Sequence, residues 1–121
     1  MPYDRLINSK RILPHRVNSN EIKQLLQLAK RDLSTARRNL EEAPDWAYSI
    51  AYNAILQAGR ALLFFDGYRP RGGEQHATVV EFVEERLGSA YADQVRLFDQ
   101  MRRKRYRVIY EVAGMVSKKE A

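Results

Sequence analysis

The chain has no cysteine, only two histidines and no long apolar run, and each shortage closes off a class of function. Without cysteine there is no disulfide framework, no thiolate nucleophile and no thiolate ligand, a composition compatible with a reducing compartment. His15 and His76 leave little material for a zinc site, and Glu81, Glu84 and Glu85 have no His or Asp partner at ligand spacing. No metal and no cofactor is therefore expected. No apolar stretch approaches the roughly 20 residues of a membrane span, and the N-terminus lacks a signal-peptide core. The expectation is a soluble cytoplasmic protein with no membrane contact. No Ser–His–Asp or Cys–His set can be assembled, and neither strand-like alternation nor an internal repeat is visible.

What is present is charge and helical periodicity. The 121 residues, 45% of them hydrophobic, suit one domain with its own core, and the net charge of +6 favours acidic partners such as RNA, nucleotides or an acidic protein. The excess is concentrated in Met101–Tyr110, where Arg102, Arg103, Lys104, Arg105 and Arg107 fall within six residues. On a helix Arg102, Tyr106 and Tyr110 share a stripe, and Arg105 lies near Ile109 on the next. Such a cationic stripe beside an apolar seam suits a phosphate chain on one side and a packed helix on the other. A solvated basic helix face is the plainer reading.

Residues 1–19 show no sustained period and read as a basic arm carrying Arg5, Lys10, Arg11 and Arg16, with residues 20–121 as the helical domain. The arm is either a tail or a segment lying over the bundle through Leu6, Ile12 and Leu13. Asn18, three residues before Glu21, has the form of a capping box, and Ile22, Leu25, Leu26, Ala29, Leu33, Ala36 and Leu40 follow at helical spacing. Pro44 and Asp45 restart the chain into a second helix running to Phe65, rich in alanine and with Gly59. Asp66-Gly67 ends it, residues 66–75 read as a loop, a third helix spans 75–87, and a fourth runs from about Ser89 to Val116. The whole predicts an all-α protein, an antiparallel four-helix up-and-down bundle with a basic N-terminal arm.

Ala51-Tyr52-Asn53-Ala54, Gly67-Tyr68-Arg69, His76 and the basic fourth helix, in that order, resemble the HEPN domain, an all-α domain of prokaryotic toxin–antitoxin and defence systems. The likeness runs from about Glu21 to Tyr110. It implies RNA or nucleotide binding, a homodimer with the fourth helices near the two-fold axis, and a nucleotidyltransferase of the MNT type as a partner protein. Many HEPN proteins are metal-independent ribonucleases, with an Arg, often followed by Asn, and a His a few residues on. Here Arg105 takes the Arg position, Tyr106 stands where Asn is usual, and Tyr110 stands where the His is expected. A register from Arg103 puts Val108 at the His position and makes Tyr110 a candidate acceptor for modification. Neither register holds a His, and a phenol titrating near 10 is a poor general base beside an imidazole near 6.5. The resemblance therefore implies a binding domain with weak or absent cleavage, or alternatively an active endoribonuclease using Arg105 and Tyr110, or a module that docks the nucleotidyltransferase.

Arg102, Arg103, Lys104, Tyr106 and Arg107, with Arg69 and Arg71 of the loop, are the expected nucleic-acid contacts. His76 is an accessory candidate, either capping its helix or standing in for the missing motif His. His15, beside Pro14, is expected at the surface. Trp46, Tyr48, Tyr52 and Tyr91 have the chemistry of base-stacking residues, but their spacing fits core packing better. Arg69-Pro70-Arg71-Gly72-Gly73 lacks the Gly-Lys-Ser/Thr ending of a phosphate-binding loop and reads as a basic connection.

Overall fold

Asn18 caps the first long helix through half of the expected box. In the computed structural model its Oδ1 accepts from the backbone N–H of Asn20 at 3.0 Å and of Glu21 at 3.2 Å, while the Glu21 carboxylate turns to His15. The structure describes residues 1–110 and 118–121, and the side chains of all of these except 106–110. The elements are α1 (Asp4–Asn8), β1 (Ile12–Pro14), α2 (Ser19–Asn39), α3 (Pro44–Phe65), β2 (Tyr68–Pro70), α4 (Gln75–Leu87), a 3-10 turn (Ser89–Tyr91) and α5 (Ala92–Tyr110). Pro44 occupies the first turn of α3, where its missing N–H removes nothing. Gly67 at φ +90° follows the end of α3 and Gly88 at φ +74° closes α4, both in the left-handed region that glycine alone enters freely. The expected part of the last helix beyond Tyr110 lies outside the described residues.

The protein is predominantly helical, and α3 is its hub. It packs against α2 on one side and against α4 and α5 on the other, and α4 and α5 also touch. At Gly59 α3 and α4 approach closely: a β-carbon there would stand 2.8 Å from Val79 Cγ1 and 3.2 Å from Val83 Cγ2. The main core joins Tyr48, Tyr52, Leu56 and Leu63 of α3 to Val79, Val80 and Phe82 of α4 and to Val95, Phe98 and Met101 of α5.

Three features refine or correct the sequence reading. Of the two courses expected of the leader, it takes the one over the bundle: Tyr3, Leu6 and Ile12 are fully buried in the main core, whereas Leu13, also expected to pack there, is half-exposed. Tyr3 packs edge-on to Tyr68 and against Phe82, and its hydroxyl donates to Asp66 Oδ2 at 2.8 Å. Residues 66–75 are not all loop, because β2 pairs antiparallel with β1 in the register Ile12↔Pro70, Leu13↔Arg69 and Pro14↔Tyr68. A five-residue helix and two three-residue strands are too short to display a period, which is why the sequence hid them. Finally, the periodic apolar face of α2 is only partly covered. Leu25 and Ala36 are buried, but Leu26 and Leu33 stay exposed, since α3 supplies the principal neighbour of this helix.

Candidate functional site

Three of the four described cations in the basic tract are neutralised within the chain. Arg102 donates to Asp99 Oδ1 through Nε at 3.1 Å, and Arg103 reaches Asp99 Oδ2 at 3.0 Å, so one carboxylate one turn back serves both. Lys104 Nζ donates to Glu120 Oε1 at 2.6 Å and lies over the Tyr48 ring. Arg105 differs. Among the described residues no carboxylate pairs with it, and its guanidinium carbon sits 5.6 Å from the centre of the Tyr52 ring. The side chains of Tyr106, Arg107 and Tyr110 lie outside the described residues.

Arg105 forms part of the wall of a cavity of about 200 Å³ between α3, α4 and α5, together with Asn53, Gln57, Arg60, Gln75 and His76. Tyr52 Oη and His76 Nδ1 are 2.9 Å apart, joining the hub helix to the first turn of α4. Arg60 is held by Gln57, whose Oε1 accepts from it at 3.1 Å, and lies over the Phe64 ring. Its Nε is buried without a hydrogen-bond partner among the described residues. Like Arg105, Arg60 has no carboxylate partner among them. Two guanidinium groups and an imidazole thus share one concavity.

The electrostatics favour neutral His76 and neutral Tyr52. Partial desolvation, followed by the positive charges of Arg105, Arg102 and Arg60, holds the imidazole below its ordinary 6.5, although the residue keeps a solvent-exposed face. Burial pushes the Tyr52 phenol up to about 12, against the opposing pull of Arg105 and Arg102. A neutral phenol can accept from Nδ1–H of His76, and in that tautomer Nε2 is the free basic nitrogen. This geometry brings together a proton acceptor and two cations that no described carboxylate pairs with.

A second cavity of about 330 Å³ shares Asn53 and Arg105 with the first and is bounded by Arg31, Asp32, Trp46, Ser49 and Ile50. Asp32, buried on α2, accepts from Asn53 Nδ2 at 2.9 Å and from Arg31 Nε at 3.1 Å. Trp46 is 61% exposed and Tyr91 50% exposed, which overturns the expectation that both belong to the core; Tyr48 and Tyr52 are buried as expected. Trp46 lies in the first turn of α3, in a cavity wall shared with Arg31 and Asp32 of α2 and Arg105 of α5.

Of the remaining expected contacts, Arg69 lies on the outer face of β2 and Arg71 just beyond it; neither lines a cavity that contains Arg105. His15 is not a free surface residue: its Nε2 is 2.7 Å from Glu21 Oε1 and its ring packs on Phe64, because the leader folds back over α3. Arg60 and Gln57 escaped the sequence reading, as did the use of Asn53 as a cavity residue. Their signal was a polar stripe, Asn53, Gln57 and Arg60, at i, i+4 and i+7 of an otherwise apolar helix.

Among the described residues no group of histidines and carboxylates is arranged to hold a metal ion, and no helix is long and apolar enough to cross a membrane. A model of the HEPN domain matches residues 22–121, most of the chain. No curated protein and no solved structure matches it.

Proposed function

The chain belongs to the HEPN domain family, and on that premise we propose that it binds RNA with a phosphodiester seated between Arg105, Arg60 and His76. The observation that carries this reading is that, among the described residues, no carboxylate pairs with Arg105 or Arg60, while Arg102, Arg103 and Lys104 in the same tract as Arg105 are all paired. A buried or half-buried cation without a counter-ion is a place for an anion to bind. The leader 1–19 then serves as a brace for the 20–121 domain, the helices as an antiparallel four-helix up-and-down bundle, and a homodimer in a toxin–antitoxin or defence setting as the working form.

In this reading His76 supplies the imidazole that the basic helix lacks. Nε2 takes the proton of a 2′-hydroxyl as its oxygen attacks the adjacent phosphorus. Arg105 and Arg60 stabilise the charge that develops on the non-bridging oxygens, and the imidazolium returns its proton to the departing 5′ oxygen. One imidazole performs both transfers, so cleavage is slow and binding dominates. No step is assigned to a metal, and a chelator is expected to change nothing.

The test compares RNA binding and cleavage by the wild type, Arg105→Ala and His76→Ala. Arg105→Ala should lower both, cleavage by on the order of a hundredfold, as removing one donor to an oxyanion does. His76→Ala should abolish cleavage while reducing affinity only slightly. Cleavage that survives both substitutions would remove this assignment.

A further inference from the structure

Trp46, Ile50, Asn53, Gln57 and Arg60 follow one another at i, i+4, i+7, i+11 and i+14, so they form a single stripe along α3. That stripe links the two cavities. Arg60 and Gln57 stand in the cavity with His76, Trp46 and Ile50 stand in the other, and Asn53 and Arg105 belong to both. The indole is 61% exposed, an unusual position for the largest apolar side chain in the chain. Beside it Asp32 orients Asn53 by accepting from its Nδ2 at 2.9 Å, which leaves the amide oxygen as an acceptor. Ser49 Oγ, in the same wall, is buried and has no hydrogen-bond partner among the described residues.

We propose that the cavity beside Trp46 is a nucleobase subsite: an unpaired base of single-stranded RNA stacks on the indole while the phosphate joined to it lies on Arg105. This rests on the phosphodiester reading of the neighbouring cavity and specifies its substrate as single-stranded. A base offers a π-face to the indole and an amino or imino edge to the Asn53 oxygen, whereas a base pair shields both faces of its bases by stacking. Arg105 bridges the subsites, so base and phosphate are held by a common side chain. Recognition is tolerant of sequence, because every base can stack.

Trp46 is the single tryptophan of the chain, so its fluorescence reports this site alone. The probe is a short single-stranded oligoribonucleotide of mixed sequence, 2′-O-methylated to prevent cleavage and labelled with fluorescein for anisotropy. It should bind and quench Trp46. The same strand in a duplex, or an abasic strand of equal charge, should bind more weakly and leave the tryptophan emission unchanged. Trp46→Ala should weaken single-strand binding about tenfold or more, as loss of one stacked base does, without altering the salt dependence, and Trp46→Phe should restore part of the affinity. Unchanged melting of Trp46→Ala would confirm that the variant is folded. Binding without quenching, or equal quenching by the duplex, overturns the base subsite and spares the phosphodiester reading. Absence of any binding overturns both. Quenching that follows protein concentration without RNA would mean that a second copy of the chain covers the indole, and would also overturn the subsite.

Discussion

Arginine serves two purposes in this molecule, and the difference is set by what each guanidinium faces. On the leader face Arg5 donates to Glu85 at 2.8 Å, Arg11 pairs with Glu81 and donates to Thr78 at 2.9 Å, and Arg86 donates to Asp66 at 2.8 Å. Arg5 and Arg11 fasten the leader to α4, and Arg86 ties α4 to the residue that ends α3. In the cleft between α3, α4 and α5, Arg60 and Arg105 meet an imidazole, amides and aromatic rings, and among the described residues no carboxylate pairs with either. Local charge density does not distinguish the two regions, since Arg105 belongs to the densest cationic run of the chain. The placement of acids does: Glu81, Glu85, Asp66 and Asp99 pair with the arginines around them, and none of the four lines the cleft, although the charge of Asp99 is felt at Tyr52.

The largest effect should come from Tyr3→Ala, which removes a fully buried ring from the main core together with its bond to Asp66. A loss of about 3–5 kcal/mol in denaturant unfolding is expected, typical of deleting a buried aromatic. Arg105→Ala should leave stability within experimental scatter. The comparison breaks if the leader variant is neutral and the cleft variant unfolds.

Gly59→Ala sharpens the boundary between framework and site. Its new methyl group would press on Val79 and Val83, which stand on α4 three and seven residues beyond His76. Overpacking here should cost about 1–3 kcal/mol, and the displaced α4 should also lower RNA affinity. Lost stability with unchanged affinity would show that His76 is positioned independently of that helix contact.

A smaller effect tests the electrostatics of the cleft. The His76 ring should titrate below 6.5 by NMR, and Arg105→Ala should move its midpoint upward by removing a nearby cation. Protonation is disfavoured in the folded chain, so the stability tied to the neutral ring is complete above 6.5 and is lost as pH falls through the lowered value. A midpoint at or above 6.5 would remove the account of a neutral base. Smallest of all should be Arg103→Ala. Arg103 is already paired with Asp99, so its loss should change RNA affinity far less than loss of Arg105. Equal losses would mean that charge density alone governs binding.

Much of the framework was readable because it rests on local chemistry. Asn18 caps α2, Pro44 opens α3, and Gly67 and Gly88 mark helix ends, each for reasons contained within a few residues. The basic tract and His76 were also visible as candidates, but not their relation. Arg105 stands 29 residues after His76 and 45 after Arg60, and no period in the chain connects separations of that kind. Trp46 shows the opposite failure: its helical spacing looked like a core position, yet the folded chain leaves it 61% exposed on the wall of a cavity.

The sequence by itself determined a mostly helical chain, where α2, α3 and α4 begin and end, and an excess of positive charge gathered on the last helix. These follow from backbone preferences and side-chain periodicity, which act over a turn or two. The tertiary structure alone decided that the leader is part of the core, that one carboxylate silences Arg102 and Arg103, and that Arg105 meets His76 and Arg60 across three helices. Those outcomes depend on which helix faces pack together, and close packing is a property of the whole chain rather than of any segment.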